Sequence, residues 1–521
     1  MHSFLISLLL ILGSWTLSRE GSVQEYPATV PSTVAGVLKD NGVKVEDKAI
    51  FDDPWVYTCT FDLDSKALRK FHRLRFDGLN YRADVYLNST LLASSDTTYG
   101  VFCVREFDVT KLLKKHNVLK VRLTRPQTGD LNIGFVDWNP RPADESMGIV
   151  RDVTLFESGS VAITDVFVKP DLKIDTDGSA DLEVRVTLQN MSGKPVSGEI
   201  RGRWTGGEFA FPVSLAASQT KEVVLTPAEC KALHSDKPAL WWTKELGKPF
   251  LHTMQTSFVA NGQESDANEV KFGIRKIESR IDSHGHRVFL LNGSKILLKG
   301  AGWTDEVNLR DTHESLDAQM EHILNMGLNC IRFENIWGKD QYIYDLCDKY
   351  GLMALVGWSC QWEWENYCGL PEYKHFGCIN DEKSMKLAAR YFHDQVKWLR
   401  NHPSVIGWMT GSDRIPNPEL EKEYLRIYAE LDYRPYINSA KAMTSTISGK
   451  SGTKMEGPYD YVGPDYWYYD TEAGGAFGFN TETGVGANWP QIETIKGMIP
   501  EDQLWPLGKN TANTARPHRR P

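Results

Sequence analysis

Val405-Ile-Gly-Trp-Met-Thr-Gly-Ser-Asp413 is an apolar run of strand length that ends in a glycine, a small polar residue and one carboxylate. This pattern predicts a strand of a parallel barrel, because the active sites of such barrels lie at the carboxyl ends of their strands. Phe477-Gly-Phe-Asn-Thr-Glu-Thr-Gly484 repeats the pattern and presents Glu482. Two such strands can direct two carboxylates at one point, as cleavage of a glycosidic bond requires. Ordinary loop roles for both acids are the weaker alternative, since the pattern occurs twice.

The sequence around these strands alternates helices with short apolar strands from about residue 274 to 510. Apolar periodicity predicts helices over residues 315–326, 342–350, 382–400 and 420–431, and strands near residues 299, 330, 352, 405, 436, 461 and 477. This alternation predicts a (β/α)8 TIM barrel. Seven strands are found where eight are needed, so we expect a barrel that lacks its last strand.

The chain before the barrel is predicted to be entirely β. Residues 25–158 contain short alternating strands, such as Ala83-Asp-Val-Tyr-Leu-Asn88, at the spacing of a β-sandwich. Residues 159–273 contain Ala180-Asp-Leu-Glu-Val-Arg-Val-Thr-Leu188 and have the size and turn-rich texture of an immunoglobulin-like β-sandwich.

The two ends of the chain differ from the rest. The apolar run Phe4-Leu-Ile-Ser-Leu-Leu-Leu-Ile-Leu-Gly13 is too short to span a bilayer and predicts a signal peptide over residues 1–18, cleaved near residues 18–20. We therefore expect a secreted or periplasmic protein without a membrane span. Residues 511–521 are a basic, low-complexity tail that we interpret as aberrant. Because an incomplete barrel leaves two open edges, we expect the chain as written to be weakly stable and to have little activity.

Composition excludes several classes of partner. A net charge of −9 and a pI near 5.9 argue against nucleic acid as a partner. The eight cysteines match no zinc-binding spacing, so neither a metal nor another cofactor is expected. Cys360, Cys368 and Cys378 lie close together in the sequence and could form one disulfide.

Four motifs along the chain carry a family resemblance. They are Phe76-Asp-Gly-Leu-Asn80 with Asp84-Val-Tyr-Leu-Asn88, Met147-Gly-Ile-Val-Arg-Asp-Val153, Gly327-Leu-Asn-Cys-Ile-Arg332 and Arg400-Asn-His-Pro-Ser-Val405. At these motifs the chain resembles glycoside hydrolase family 2. The resemblance implies that the first β-sandwich is a jelly-roll, galactose-binding-like domain. Ser412-Asp413, where the family usually has Asn-Glu, is similar to the exo-β-D-glucosaminidase branch, as is Asp137-Trp-Asn-Pro140.

The resemblance also implies roles for individual residues. Glu482 would be the nucleophile and Asp413 the general acid/base of a retaining exo-glycosidase. Glu334 would bind the ammonium group of glucosamine, with a structural role beside Arg332 as its alternative. Further candidates for substrate binding stand at predicted strand ends or in the loops beyond: Asp305, Glu306, Trp303, Trp358, Tyr466 and Trp467.

Three alternatives remain open at this point. A β-mannosidase or another family 2 glycosidase would use the same two acids with a different pocket. The chain could instead be a carbohydrate-binding relic without activity, or a truncated fragment. In each case the expected partner is a carbohydrate.

Overall fold

The computed structural model describes residues 10–11, 14–136, 139–334, 338–358, 360–484 and 491–504. These residues form two β-sandwiches followed by a parallel αβ domain, in the predicted order. No helix in this described part of the chain is long and apolar enough to cross a membrane.

The first sandwich has a large antiparallel sheet that faces two smaller sheets. In spatial order the large sheet contains Tyr26–Ala28, Trp15–Arg19, Trp55–Asp62, His116–Thr124, Arg82–Leu87 and Thr90–Ala93. The smaller sheets contain Leu10–Ile11, Val153–Ser158, Phe71–Phe76 and Arg105–Asp108, and Ser32–Thr33, Gly148–Ile149 and Leu79–Asn80. Inward residues alternate along the strands, as in His116–Thr124, because successive side chains point to opposite faces.

The position of Trp15–Arg19 corrects two predictions. This strand pairs with Trp55–Asp62 on one side and Tyr26–Ala28 on the other, and Trp15 and Leu17 are buried. The sandwich therefore begins before residue 25, and cleavage near residues 18–20 would cut the chain at the end of an internal strand. Most of the predicted signal peptide lies outside the described residues.

The second sandwich has the immunoglobulin-like arrangement of two packed sheets. One contains Val161–Leu172, Ala180–Asn190 and Thr220–Leu225, with His234–Ser235 beside the second strand. The other contains Gly207–Leu215, Val196–Trp204, His252–Ala260 and Gln263–Phe272. A small sheet of Ile277–Ile281, Arg287–Leu291 and Ser294–Ile296 then leads into the barrel.

The barrel sheet has five parallel strands among the described residues. In chain order the elements are β1 Gly300–Trp303, α1 His313–Asn325, β2 Cys330–Phe333, α2 Tyr342–Tyr350, β3 Met353–Val356, α3 Glu382–Leu399, β4 Val405–Met409, α4 Pro418–Leu431 and β5 Tyr436–Ile437. Each strand pairs with the next, from β1 to β5. The helix starts follow from the sequence: Thr312 and Ser315 form a capping box on α1, and Asn417 caps α4 ahead of Pro418.

Two predicted barrel strands do not form as regular strands. Residues 461 and 462 lie in a loop. The segment that carries Glu482 makes a single bridge, in which Lys454 pairs with Asn480. Five of the seven predicted strands are thus confirmed. The predicted tail at 511–521 lies outside the described residues.

The sandwiches and the barrel share packing surfaces. Val101, Phe102, Leu131, Ile133 and Phe135 of the first sandwich belong to the same apolar core as the barrel helices. Arg400, at the end of α3, forms an ion pair with Asp165 of the second sandwich and lies 4.4 Å from the centre of the Phe167 ring. The barrel is therefore held from two sides, and the first sandwich reaches the mouth of the site described next.

Candidate active site

Arg332 at the end of β2 brings the predicted acids' segments together. Its Nη1 lies 3.7 Å from Oε2 of Glu482 and 3.5 Å from Oε2 of Glu334. Its Nη2 donates a hydrogen bond of 3.2 Å to Oγ of Ser412, the neighbour of Asp413. The Arg332 side chain is only 8% exposed, so these contacts are poorly screened by water.

A cavity of about 350 Å³ opens beside this guanidinium. Glu334, Glu482, Arg332 and Trp303 line it, together with Val136 of the first sandwich. Of the predicted substrate-binding residues, Glu334 and Trp303 therefore line this cavity. Two carboxylates, those of Glu334 and Glu482, contact the same guanidinium there.

Tyr459 is a residue that the sequence did not reveal. Burial first, and then the negative charges of Glu482 and Asp413, raise the pKa of the Tyr459 phenol to about 12. Both carboxylates therefore lie within electrostatic range of this phenol.

The backbone around Asp413 is clamped between the loops that follow β3 and β5. Glu363 accepts hydrogen bonds from the backbone N–H groups of Ser412 and Asp413, each at 2.7 Å, and of Arg414 at 3.2 Å. On the other side, the Ser412 carbonyl accepts from Oγ of Ser439 at 2.8 Å. Sequence reasoning missed Glu363; its signal was an acid within the aromatic run that follows β3.

A thiol also contacts the predicted general acid. Sγ of Cys360 lies 3.7 Å from Oδ2 of Asp413. Cys360, Glu363 and Asp413 form a group of three potential metal ligands within 4.8 Å of one another. Because both oxygens of Glu363 already accept backbone N–H groups, this group is better suited to holding the loop than to binding an ion. The expected absence of a metal remains a prediction.

Lys454 fixes the segment that carries Glu482. Its backbone N–H donates to the carbonyl of Phe479, and its carbonyl accepts from the N–H of Thr481, both at 2.9 Å. Its ammonium group donates to the carbonyls of Ala473 at 2.7 Å and Gly475 at 2.9 Å. These contacts place Glu482 in the cavity although the predicted strand is reduced to one bridge.

Asp305 and Glu306 lie near the cavity but have structural partners. Asp305 accepts a hydrogen bond of 3.2 Å from the indole of Trp303, and burial raises its pKa to about 7. Glu306 accepts from the backbone N–H groups of Asn308 and Arg310, both at 2.9 Å, and so closes its own loop. Neither residue lines the cavity, so the geometry favours supporting roles over the predicted contact with substrate.

The remaining aromatic candidates lie elsewhere. Trp358 is buried, with its ring centre 5.0 Å from that of Trp362 and 5.4 Å from that of Tyr424, so it packs in the barrel core. Tyr466 and Trp467 lie on the short helix Tyr466–Tyr469 rather than at a strand end, and they do not line the cavity. Stacking by these three rings on a sugar in this cavity is therefore not supported.

The predicted disulfide does not form. All eight cysteines are free and buried. Cys368 and Cys378 are nevertheless neighbours. A hydrogen bond joins their thiols and raises the pKa of the Cys378 thiol.

Comparison with known proteins agrees with this architecture. Three consecutive stretches match sequence models of one family: the glycosyl hydrolase 2 galactose-binding domain-like model over residues 15–133, the glycosyl hydrolases family 2 model over 161–275, and that family's TIM barrel domain over 284–445. The chain belongs to glycoside hydrolase family 2. The first of these models begins at residue 15, in agreement with the strand that starts at Trp15.

Within family 2, the chain is similar to exo-β-D-glucosaminidases. It is 34% identical over 499 residues to the Streptomyces avermitilis exo-β-D-glucosaminidase, covering 93% of this chain and 54% of that protein. The exo-chitosanase CsxA of Amycolatopsis orientalis superposes with a TM-score of 0.87 at 30% identity, covering 95% of this chain and 60% of that one. The β-mannosidase of Bos taurus is 24% identical over 583 residues, covering 94% and 62%. The chain thus spans just over half the length of the curated glucosaminidase that it matches.

Proposed function

We propose that this chain is an exo-acting, retaining β-glycosidase that releases glucosamine from chito-oligosaccharides. The observation that carries the proposal is the position of Arg332, which lines the cavity with Glu482 and Glu334 and contacts Ser412, the neighbour of Asp413. Similarity to exo-β-D-glucosaminidases supports the choice of sugar. One related enzyme, CsxA, has been solved in complex with PNP-β-D-glucosamine.

The mechanism follows from the roles of the two acids. Glu482 attacks the anomeric carbon while Asp413 protonates the oxygen of the leaving group. Asp413 then takes a proton from the water that releases the sugar from Glu482. Arg332 holds the Glu482 carboxylate and offsets part of its charge, so that the nucleophile is fixed before substrate arrives.

The cavity wall supports a cationic sugar. Glu334 and Glu482 place two carboxylates at the cavity wall, and both contact Arg332. A carboxylate at this wall would attract the ammonium group of glucosamine, and it gives no comparable advantage to mannose or N-acetylglucosamine. Glu334 is the residue that we assign to this contact.

Turnover of matched chromogenic glycosides tests the proposal. We expect the purified chain to hydrolyse 4-nitrophenyl β-D-glucosaminide faster than the N-acetylglucosaminide, galactoside or mannoside at equal concentration. The released sugar should first appear as the β-anomer, which proton NMR detects. Preference for the mannoside would favour β-mannosidase activity instead.

Carbohydrate binding without turnover is the second candidate. It is favoured by one observation: in the described part of the chain β1 pairs only with β2, and residues 299–302 are exposed. An open edge loosens the sheet beside the cavity. Isothermal titration with glucosamine oligomers, combined with an assay for turnover, separates the two candidates.

We also propose that the protein is exported, with the signal peptide cleaved before residue 15 rather than near residues 18–20. Because Trp15 and Leu17 are buried in the first sandwich, cleavage has to precede residue 15 for the strand Trp15–Arg19 to remain in the fold. Mass spectrometry of the protein recovered from the medium of an expressing host would locate the new amino terminus. An amino terminus beyond residue 19 on a folded protein would contradict this proposal.

A further inference from the structure

We propose that Glu363 is a positioning residue for the general acid/base, and that it directs Asp413 by holding the backbone of residues 412–414. This inference rests on the proposed function and adds a residue to its machinery. Glu363 does not line the substrate cavity. It would act on the reaction only through Asp413.

Glu363 accepts hydrogen bonds from three consecutive backbone N–H groups, those of residues 412–414. Oε1 accepts from the N–H of Ser412, and Oε2 accepts from those of Asp413 and Arg414. These donors follow directly after β4, where the chain leaves the sheet and loses its regular hydrogen bonds. Since buried N–H groups require partners, one carboxylate here replaces a strand neighbour.

The opposite side of the loop is anchored separately, so the two anchors together define one orientation. The carbonyl of Ser412 accepts from Oγ of Ser439 and from the N–H of Lys441 at 3.1 Å. Gly411 permits this close approach, because a Cβ there would lie 2.6 Å from the carbonyl oxygen of Asn438, directly after β5. With its carbonyl side held by the loop after β5, the segment depends on Glu363 for its N–H side.

Glu363 is itself held in place. It is 5% exposed, and the carboxyl lies in the turn Cys360–Glu363, which the first sandwich grips. The side chain of Gln361 accepts from the N–H of Phe135 at 3.0 Å and donates to the carbonyl of Val136 at 3.0 Å. The indole of Trp362 donates to the carbonyl of Asn132 at 2.7 Å. The first sandwich thereby supports the catalytic acid through this turn.

Packing leaves Glu363 little freedom to move away. Gly377 has a φ of +65°, and a Cβ at that position would lie 2.9 Å from Cα of Glu363. Burial and the charge of Asp413 raise the pKa of Glu363 to about 8, while the backbone N–H groups act in the opposite direction. Burial of a carboxyl costs free energy. The hydrogen bonds that Glu363 accepts from the backbone around Asp413 explain why the fold keeps a carboxyl here.

The test compares Glu363→Gln and Glu363→Ala with a control, Glu372→Gln. Glu372 accepts a hydrogen bond from the Arg414 guanidinium at 2.7 Å and touches the same loop without holding its backbone. Substrates are chitobiose, with a poor leaving group, and 2,4-dinitrophenyl β-D-glucosaminide, with a good one. The readout is kcat/KM, which reports the first bond-breaking step and its need for an acid.

A misplaced general acid should lower kcat/KM most for the substrate with the poor leaving group, because that group needs a proton to depart. We expect Glu363→Gln to lower kcat/KM for chitobiose by roughly 100-fold and for the dinitrophenyl glycoside by less than about 10-fold, because displacement of about 1 Å can cost two orders of magnitude. The control should stay within about threefold for both substrates. Equal losses with both substrates would show that Glu363 only stabilises the fold, and would overturn the proposal.

Hydrogen exchange provides a readout that does not need turnover. In Glu363→Gln, the amides of residues 412–414 should exchange about 10-fold faster or more, while those of β4 keep their protection. Unchanged exchange would refute the contact itself. If the parent chain prefers mannosides, the same comparison is made with the matching mannosides. If it hydrolyses no glycoside, the proposed function fails, whereas the exchange measurement still decides whether Glu363 holds the loop.

Discussion

Nη1 of Arg332 lies 3.7 Å from Oε2 of Glu482. The same nitrogen donates a hydrogen bond of 3.2 Å to the carbonyl of Thr481, which is 149 residues away in the sequence. The contact joins the end of β2 to a segment that, among the residues the structure describes, forms one bridge, between Lys454 and Asn480. Arg332 therefore connects the segment of Glu482, the proposed nucleophile, directly to a strand of the barrel sheet.

Replacing Arg332 should uncouple the two acids. We expect Arg332→Met to lower kcat by about 100-fold or more, because the Glu482 carboxylate loses both its charge partner and its fixed direction. The matched control is Arg310→Met, which removes a surface ion pair with Asp40. Steady-state kinetics on an aryl glycoside measures the effect. A kcat of Arg332→Met equal to that of the control would show that this guanidinium does not serve the reaction.

The two acids should respond differently to substitution. Glu482→Gln should abolish turnover, because an amide cannot form the glycosyl-enzyme intermediate. Asp413→Asn should cost several orders of magnitude with poor leaving groups and less with activated ones. Retention also requires the carboxyl carbons to lie about 5–5.5 Å apart. A crystal structure with bound glucosamine would measure that separation, and a value beyond about 8 Å would exclude the retaining mechanism.

Substrate preference should depend on Glu334. Removing its charge in Glu334→Gln should raise KM for the glucosaminide by about 10-fold or more, since the ammonium group loses an ionic contact in a partly desolvated cavity. Glu306→Gln serves as the control, because Glu306 is a carboxylate near the cavity that does not line it and closes its own loop. Kinetics at fixed pH with glucosaminide and glucoside substrates would separate loss of charge recognition from general damage. A KM that rises equally for both sugars would assign Glu334 to structural support of Arg332.

The fold was largely predictable because local patterns determine it. The four barrel helices have caps and stops within a few residues of their predicted bounds, as with Thr312 ahead of α1 and Gly327 after it. Asp413 was recognisable because an apolar strand precedes it directly. In these cases the deciding physical features are adjacent in sequence.

The rest of the site depends on contacts between segments that are far apart in the chain. Glu363 acts on a loop 50 residues away, and the charges of Glu482 and Asp413 act on Tyr459 from distant segments of the chain. The predicted cleavage near residues 18–20 falls at the end of the strand Trp15–Arg19, and the sequence alone could not reveal this strand because its partner Trp55–Asp62 is far away in the chain. Trp358 is a similar case: its place at a strand end does not reveal which way its ring packs.

Burial of Asp305 predicts a pH dependence of stability. Its folded-state pKa of about 7 lies above the ordinary value of 3.8, so the folded protein favours the protonated carboxyl. This group therefore destabilises the fold increasingly as pH rises from about 4 to 7, and the penalty is constant above that range. Asp305→Asn keeps an acceptor for the Trp303 indole and should reduce the loss of stability between pH 5 and about 8. Urea denaturation at both pH values checks this, and an unchanged difference would contradict it.

Trp15 should contribute strongly to the stability of the first sandwich. It is 3% exposed, and its ring centre lies 6.5 Å from that of Tyr57 in an edge-on arrangement. Trp15→Ala removes a large buried side chain from a strand with neighbours on both sides, so we expect a loss of about 3–5 kcal/mol in the free energy of unfolding. Val23→Ala, at a fully exposed position, should change it by less than about 0.5 kcal/mol. Urea denaturation followed by tryptophan fluorescence measures both. Equal stability of the two variants would mean that the segment from Trp15 to Arg19 is dispensable, and would restore cleavage near residues 18–20.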